Sequence, residues 1–352
     1  MSTFPHKIPR KLVLAATLTS SCITAFANSI QEPSITPEVL AESGLKAAIN
    51  YPGLAFLCSL EQPLKQAGSR SKTSSKRTLT DEERIDRAAR SYVKPTQVFD
   101  NLYFVGNRSV ASWILETSEG LILIDAMNSN NQAENIIVKG MHELGLDPEN
   151  IRYLVITHAH GDHYGGQEYL VSKFAPKVVM SDRDWSELEK PVQEINNPKW
   201  GKAPSRDVTV NDGDHITLGD TTLELYVTPG HTLGTLSMIM PLRDGDDTHY
   251  GALWGGTGLN FGPQVERIKL YANSAERLRA LGEEKGVDVF LSNHPTRDNS
   301  IERIHALTER KIGTKHPFVD DNALSAFELL RDCSMAQAIK VEHYQQRLKD
   351  NS

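Results

Sequence analysis

Apolar residues in this chain fall into short runs of two periods, and the two alternate along the sequence. "QVFDNLYFVGN", "SVASWILET" and "GLILIDA" are β-rich runs separated by turn residues such as Ser118-Glu119-Gly120. Residues 130–144 then carry Ala133, Ile137, Met141 and Leu144 at helical spacing. The apolar run "IRYLVIT" follows and predicts a buried strand. The second half repeats the theme. "HITLGDTTLELYVT" predicts a hairpin around Gly219-Asp220, and "TLSMIMPL" and "THYGALWG" predict strands joined by "RDGDD". Residues 264–282 place Val265, Ile268, Ala272, Ala275 and Leu281 on one helical face, and "VDVFLS" is another short buried strand. A last helix is expected from about Asn322 to Gln346. Strands followed by a helix, twice over, predict two packed sheets with helices outside.

Upstream the pattern weakens. A helical patch, Val39 to Ile49, precedes "YPGLAFLCSLEQP", and then comes the basic, Ser-rich stretch "KQAGSRSKTSSKR", which reads as a linker. Residues 1–27 combine Lys7, Arg10 and Lys11 with the apolar run "LVLAATLTSSCITAFA" and end in Ala25-Phe26-Ala27. That is the layout of a secretory signal peptide, too short to span a membrane comfortably. The expected location is therefore secreted or periplasmic, without stable membrane insertion after cleavage.

Composition is that of a soluble enzyme, with 24% charged and 39% hydrophobic residues. Loss of residues 1–27 removes three basic and no acidic residues and takes the formal charge from -7 to -10. An acidic surface repels nucleic acid and anionic lipid, so neither is expected as a partner and a small molecule is. Composition does not give the oligomeric state. Cys58 and Cys333 remain after cleavage; whether they pair or stay as two thiols is open at this level.

The chemistry concentrates in "ITHAHGDHYGG", where His158, His160, Asp162 and His163 fall within six positions directly after a predicted strand. Imidazole and carboxylate suit zinc. His158 and His160, two apart, aim the same way in extended backbone, whereas Asp162 and His163 lie beyond Gly161, which permits a turn. The pairs can thus serve two metal positions. His231 in "VTPGHT" and His294 in "LSNHPT" also follow predicted strands and can complete them. The expected sets are His158, His160 and His231 for one ion, and Asp162, His163 and His294 for the other. Three protein ligands leave a position for water, the catalytic pattern.

"THAHGDH", "TPGHT" and "SNHP" resemble, in order and spacing, the motifs of the metallo-β-lactamase superfamily. The resemblance covers about residues 95–315 and implies an α+β, four-layer αββα sandwich. With the readings above, the expected organisation is a signal peptide at 1–27, an N-terminal arm and linker at 28–95, and a metallo-β-lactamase-like hydrolase domain with its C-terminal helix at 96–350. Asp125, ending "LILIDA", resembles the family's strand-end aspartate, which supports the ligands from behind. Many members place a metal-bridging Asp after the strand that follows "GHT"; here that segment reads "GALWGGTGLNF", with Gly256 or its neighbour at the position and Asp244, Asp246 and Asp247 at the other end of the strand. No Cys lies nearby. The remaining resemblance is to subclass B3, which holds two zinc ions with His and Asp alone. Where that subclass uses serines to place substrate, Thr257 is the nearest match and Leu259 takes the second position. Arg297, three residues past His294, is a candidate for a substrate carboxylate.

The implied activity is a dinuclear zinc hydrolase, two Zn2+ per chain, in which activated water attacks a carbonyl carbon and Asp162 helps orient it. A β-lactam-type cyclic amide is the expected substrate. Another ester, lactone or amide is the alternative within the class. A catalytically silent secreted zinc-binding protein, and iron in place of zinc with oxygen chemistry, are the alternatives outside it.

Overall fold

The computed structural model describes residues 35–66, 80, 90–311 and 313–351. The expected signal peptide and most of the basic linker lie outside the described residues.

Helix α1 (Pro37–Ala47) starts the described chain, with Pro at its first turn and the Thr36 hydroxyl accepting from Val39 N. A 3-10 segment, Pro52–Cys58, follows. The first sheet opens with β1 (Thr96–Phe99), β2 (Leu102–Gly106), β3 (Ala111–Thr117) and β4 (Gly120–Ile124). Helix α2 covers Asn130–Gln132, Ala133–Val138 and Lys139–Glu143, its middle third wound as π-helix. Then come β5 (Ile151–Val155), the single turn α3 (Gly161–Tyr164), α4 (Gln167–Phe174), β6 (Lys177–Ser181), α5 (Asp182–Leu188) and β7 (Val208–Val210). The second sheet is β8 (His215–Leu218), β9 (Thr221–Val227), β10 (Leu236–Asp244), β11 (Asp247–Trp254) and, after helix α6 (Val265–Lys285), β12 (Val289–Ser292). Helices α7 (Ser300–Thr308) and α8 (Ser325–Asp350) close the chain.

The first sheet has the order β1-β2-β3-β4-β5-β6-β7 and the second β12-β11-β10-β9-β8. Hairpin-joined strands run antiparallel; β4 to β7, and the β11–β12 pair, run parallel. Alternation along β2 sorts its side chains between two cores. Leu102 and Phe104 face inward with Trp113, Ile122, Leu225, Met238 and Leu291, filling the space between the sheets. Tyr103 and Val105 face outward to Ile137, Met141, Leu170 and Trp185 of α2, α4 and α5. Behind the second sheet, Trp254 and Phe290 meet Tyr271 and Leu278 of α6 and Phe327 and Leu330 of α8. The result is helix, sheet, sheet, helix, as expected.

The segment expected as an arm divides in two. Its described part belongs to the same compact unit as the sandwich, Ile35–Ser352. Tyr51, Leu54 and Leu57 are buried in the core behind the second sheet. Gln337 of α8 donates from Nε2 to Leu57 O at 3.0 Å and Ser59 O at 2.8 Å. Cys58 and Cys333, left open by sequence, are joined as a disulfide across 275 residues with Cα atoms 4.5 Å apart. Gly44 makes room for it, since a Cβ there would lie 2.2 Å from Cys333 Sγ.

Candidate metal centre

The C-terminal ends of β4, β5, β11 and β12, and the β9–β10 turn, meet at one edge of the sandwich. That is where the candidate residues lie. Parallel strands that all end on one side place their following loops together, which is why residues far apart in sequence converge.

Two donor groups stand side by side. His158, His160 and His231 form one, and Asp162, His163 and His294 the other, with the donor atoms of each group within 4.8 Å of one another. Ring centroids are 4.7 Å apart for His158–His160, 4.6 Å for His158–His231 and 5.1 Å for His163–His294. The residues are those expected from the sequence, divided as expected.

Four of the five rings are aimed by a partner on their far side. His158 Nδ1 meets Gly255 O at 2.8 Å, His231 Nδ1 meets Gly258 O at 2.8 Å, and His294 Nδ1 meets Ser109 O at 2.6 Å. His163 Nδ1 meets Asp125 Oδ2 at 2.7 Å. A carbonyl or carboxylate can only accept, so Nδ1 carries a proton, and in the neutral ring Nε2 presents its lone pair. Asp125 sits at φ 64 and is fully buried. It also accepts from Thr157 N at 2.8 Å and Thr157 Oγ1 at 2.9 Å, which ties the start of the ligand loop to the carboxylate behind His163.

Nε2 of His158, His160 and His163 is buried without a hydrogen-bond partner among the described residues. Buried polar atoms are nearly always satisfied, and three converging orphans fit a cation. Burial, and then the neighbouring imidazoles, hold His158 and His231 far below the ordinary histidine value. Burial brings His160 down to about 4 and also lowers His294. Burial works to raise the Asp162 carboxyl, but His163 and His294 hold it well below its ordinary value. Burial works to lower His163, yet Asp162 and Asp125 lift it to about 10. Four imidazoles held neutral beside an ionised carboxylate suit a divalent cation, whereas His163, held charged by its two carboxylates, would have to release its Nε2 proton for one to bind.

Two further residues, for which the sequence offered no motif, join the loops. Asp184 on α5 accepts from Ala159 N at 2.8 Å, Thr232 Oγ1 at 2.8 Å and Gly234 N at 3.0 Å. Arg267 on α6 donates from Nε to Gly230 O and from Nη2 to His231 O, each at 2.7 Å. Its flank is fixed by an ion pair with Glu194 and by the Phe261 ring, 4.2 Å from the guanidinium carbon.

The donors open on a cavity of about 190 Å³ lined by His160, Asp162, His231, His294, Thr257, Asn260, Arg297, Phe56, Ile195 and Trp200. Thr257 lines this cavity, its Oγ1 buried and unpartnered among the described residues. Leu259 is instead part of the hydrophobic core behind the second sheet. Arg297 lines the cavity, and one of its donors is taken: Nη1 reaches Gly53 O at 2.8 Å. The acidic turn residues are remote from the site, and Asp244 is paired with Arg310.

Residues 105–244 match the model of the Metallo-beta-lactamase superfamily. The structure is similar to that of BJP-1, a subclass B3 metallo-beta-lactamase of Bradyrhizobium japonicum, with a TM-score of 0.54, 26% identity, and coverage of 74% of this chain and 96% of that one. By sequence the chain is similar to a hydroxyacylglutathione hydrolase of Pseudomonas fluorescens, 34% identical over 24% of this chain and 26% of the relative. It is also similar to the exodeoxyribonuclease WalJ of Streptococcus pneumoniae, 28% identical over 33% of this chain and 39% of the relative. The chain thus spans well under two thirds of either curated relative. Residues 105–244 thus match the metallo-beta-lactamase superfamily, and the fold and the donor geometry described above agree with that match.

Proposed function

We propose that this chain is an exported dinuclear zinc hydrolase acting on a small molecule with a strained or activated carbonyl, and within that class on a β-lactam-type cyclic amide. The observation that carries the reading is the pair of three-donor groups opening on one cavity. His158, His160 and His231 would hold one ion, and Asp162, His163 and His294 the other. Zinc bound there supplies a Lewis acid that polarises a carbonyl and lowers the pKa of bound water to about 7.

The chain's own residues do the rest. Asp162 is ionised and faces the cavity, so it accepts a hydrogen bond from an entering water and turns its lone pair toward the substrate carbonyl. The unpartnered Thr257 hydroxyl donates to a substrate oxygen. Arg297 offers its remaining donors to a carboxylate. Phe56, Ile195 and Trp200 exclude water from the apolar side of the substrate.

Export is supported by the leader pattern of residues 1–27 and by the Cys58–Cys333 disulfide, a bond that persists in oxidising compartments. A formal charge of -7 favours a small molecule over nucleic acid. Burial of Leu259 at the second serine position favours a second reading, hydrolysis of another ester, lactone or amide.

The test is a panel with the zinc-loaded protein: a chromogenic cephalosporin, a lactone and a thioester, each as kcat/KM. The cephalosporin should lead. His160→Ala should lose metal and turnover together; full turnover in that variant without metal ends the mechanism. Bound zinc with no turnover of any compound would favour a silent zinc-binding protein.

A further inference from the structure

The N-terminal segment reaches the metal centre from outside the matched region, and three contacts fix it there. Phe56 lines the cavity. Gly53 presses on the loop after His294 so closely that a Cβ would lie 1.8 Å from Thr296 O, which makes this position glycine-only. The Gly53 carbonyl then accepts from Arg297 Nη1 at 2.8 Å, and the guanidinium carbon lies 4.0 Å from the centre of the Phe56 ring. Two residues on, Cys58 fastens the segment to α8.

Arg297 is therefore aimed by the segment, not by the sandwich. It meets the Gly53 carbonyl and the Phe56 ring, and it is half-buried in a cavity lined by four metal-ligand candidates. A guanidinium stacked on an aromatic ring and pinned through one nitrogen keeps its other donors in a fixed plane, the arrangement that suits a carboxylate. Phe56, Ile195 and Trp200 provide the apolar surface around it.

We propose that Pro52–Cys58 is a specificity element of the metal centre: Gly53 and Phe56 set Arg297 as an anion anchor, so the site selects substrates carrying a carboxylate beside an apolar or aromatic group. The inference deepens the hydrolase reading and rests on it. Phe56 and Gly53 are positioning residues; Arg297 is the group that touches the ligand.

The test uses the full-length zinc-loaded protein and two probes. One is a hydroxamate bearing a benzyl group and a carboxylate; the other is the same compound with the carboxylate as a primary amide. Hydroxamate reports the metal, and the acid-to-amide ratio of Kd, measured by calorimetry, reports Arg297. The acid should bind at least about tenfold more tightly, the scale of one charge-assisted hydrogen-bonded pair. Arg297→Gln should bring the ratio near one, Arg297→Lys should restore part of it, and Phe56→Ala should reduce it, all with unchanged zinc content. In Phe56→Ala the unchanged zinc content, with an unchanged far-UV circular dichroism spectrum, separates lost aim from lost folding. A ratio near one in the parent, or an unchanged ratio in both Arg297→Gln and Phe56→Ala, overturns the proposal while the hydrolase reading stands. A protein that takes up no zinc and binds neither probe overturns both.

Discussion

Asp184 holds the two loops that supply the three-histidine group, and removing its charge tests that idea. Oδ2 accepts from Ala159 N and Thr232 Oγ1, and Oδ1 from Gly234 N. Ala159 lies between His158 and His160, and Thr232 follows His231, so one carboxylate spans both sources of ligands. In Asp184→Asn only one oxygen remains. Whichever way the amide turns, its NH2 faces a backbone N–H, of Ala159 or of Gly234, and leaves that buried donor unpaired at a cost of about 1–3 kcal/mol. Part of this is offset. Burial pushes the Asp184 carboxyl up to about 6, against the pull of Thr232, Ala159 and Gly234, so the charged form carries a desolvation cost that the amide avoids. A net loss of roughly 1–2 kcal/mol at pH 7, a few degrees in Tm, is expected. Asp184→Ala strands all three donors and should cost roughly 3–5 kcal/mol. Zinc affinity, measured by competition with a chromogenic chelator, should fall about 10- to 100-fold in Asp184→Asn. A variant with lowered Tm but zinc affinity within twofold of the parent would refute a positioning role.

Asp184 also gives the sign of a pH effect. Its folded-state pKa lies above the ordinary aspartate value of 3.8, so between that value and about 6 the folded chain holds the proton more readily than the unfolded one. Its stabilising contribution is full at the acid end and is lost as pH rises to about 6. The stability gap between the parent and Asp184→Asn, both free of metal, should therefore narrow from pH 4 to pH 6. A gap that widens would contradict the assignment.

Three other outcomes follow from single contacts. Thr257→Val removes a buried hydroxyl that has no partner among the described residues, so stability should hold within about 1 kcal/mol while kcat/KM falls about tenfold; equal losses in Tm and activity would point to packing alone. Replacing both Cys58 and Cys333 by Ser opens a closure of 275 residues, for which chain entropy sets an upper value of about 5–6 kcal/mol, and chemical denaturation should show a loss of about 2–5 kcal/mol. Glu276 of α6 is held down to about 2, by Arg279 first and then Arg331 of α8. Its stabilisation is present above the ordinary carboxylate range and is lost as pH falls toward 2. Because the side chain is 41% exposed, Glu276→Gln should cost under about 1 kcal/mol at pH 7, and less in high salt.

The ligands are legible in the sequence because strand ends announce themselves locally. An apolar run such as "IRYLVIT" predicts a strand from its own residues, and a dense cluster of donors directly after it seldom arises from packing. His231 and His294 follow the same logic, each just after a strand-like run. What supports the ligands is harder to read. Asp184 is the third residue of a short helix, where an acidic side chain commonly serves the helix terminus; its bonds to Ala159 and Thr232 depend on tertiary packing. Phe56 lies in "YPGLAFL", whose apolarity indicates burial without saying against what. Trp200 and Ile195 lie in an irregular stretch without periodicity. The elements α4, β6, α5, β7 and α7 carry too short a pattern to be predicted, yet they brace the first sheet and the His294 loop.

The missing bridging aspartate has a steric cause that can be tested. At Gly256 a Cβ would lie 2.6 Å from His231 Cβ and 2.9 Å from its Cγ. At Gly255 it would lie 1.8 Å from Leu236 O. Neither position can carry a side chain while His231 keeps its place and its bond from Nδ1 to Gly258 O. Gly256→Ala should therefore push the His231 ring aside, at roughly 1–3 kcal/mol of overpacking, and reduce the zinc bound per chain. Gly256→Asp should do the same to a greater degree despite supplying the carboxylate that many relatives use. Metal analysis after dialysis against a buffered zinc concentration gives the answer. An aspartate variant that retains full zinc and the parent's Tm would mean that His231 can yield at no cost, and the close packing of Gly256 on its ring would then not be what excludes a side chain there. Retention in the alanine variant as well would leave Thr257 without its distinction as the first residue after β11 able to present a side chain to the site.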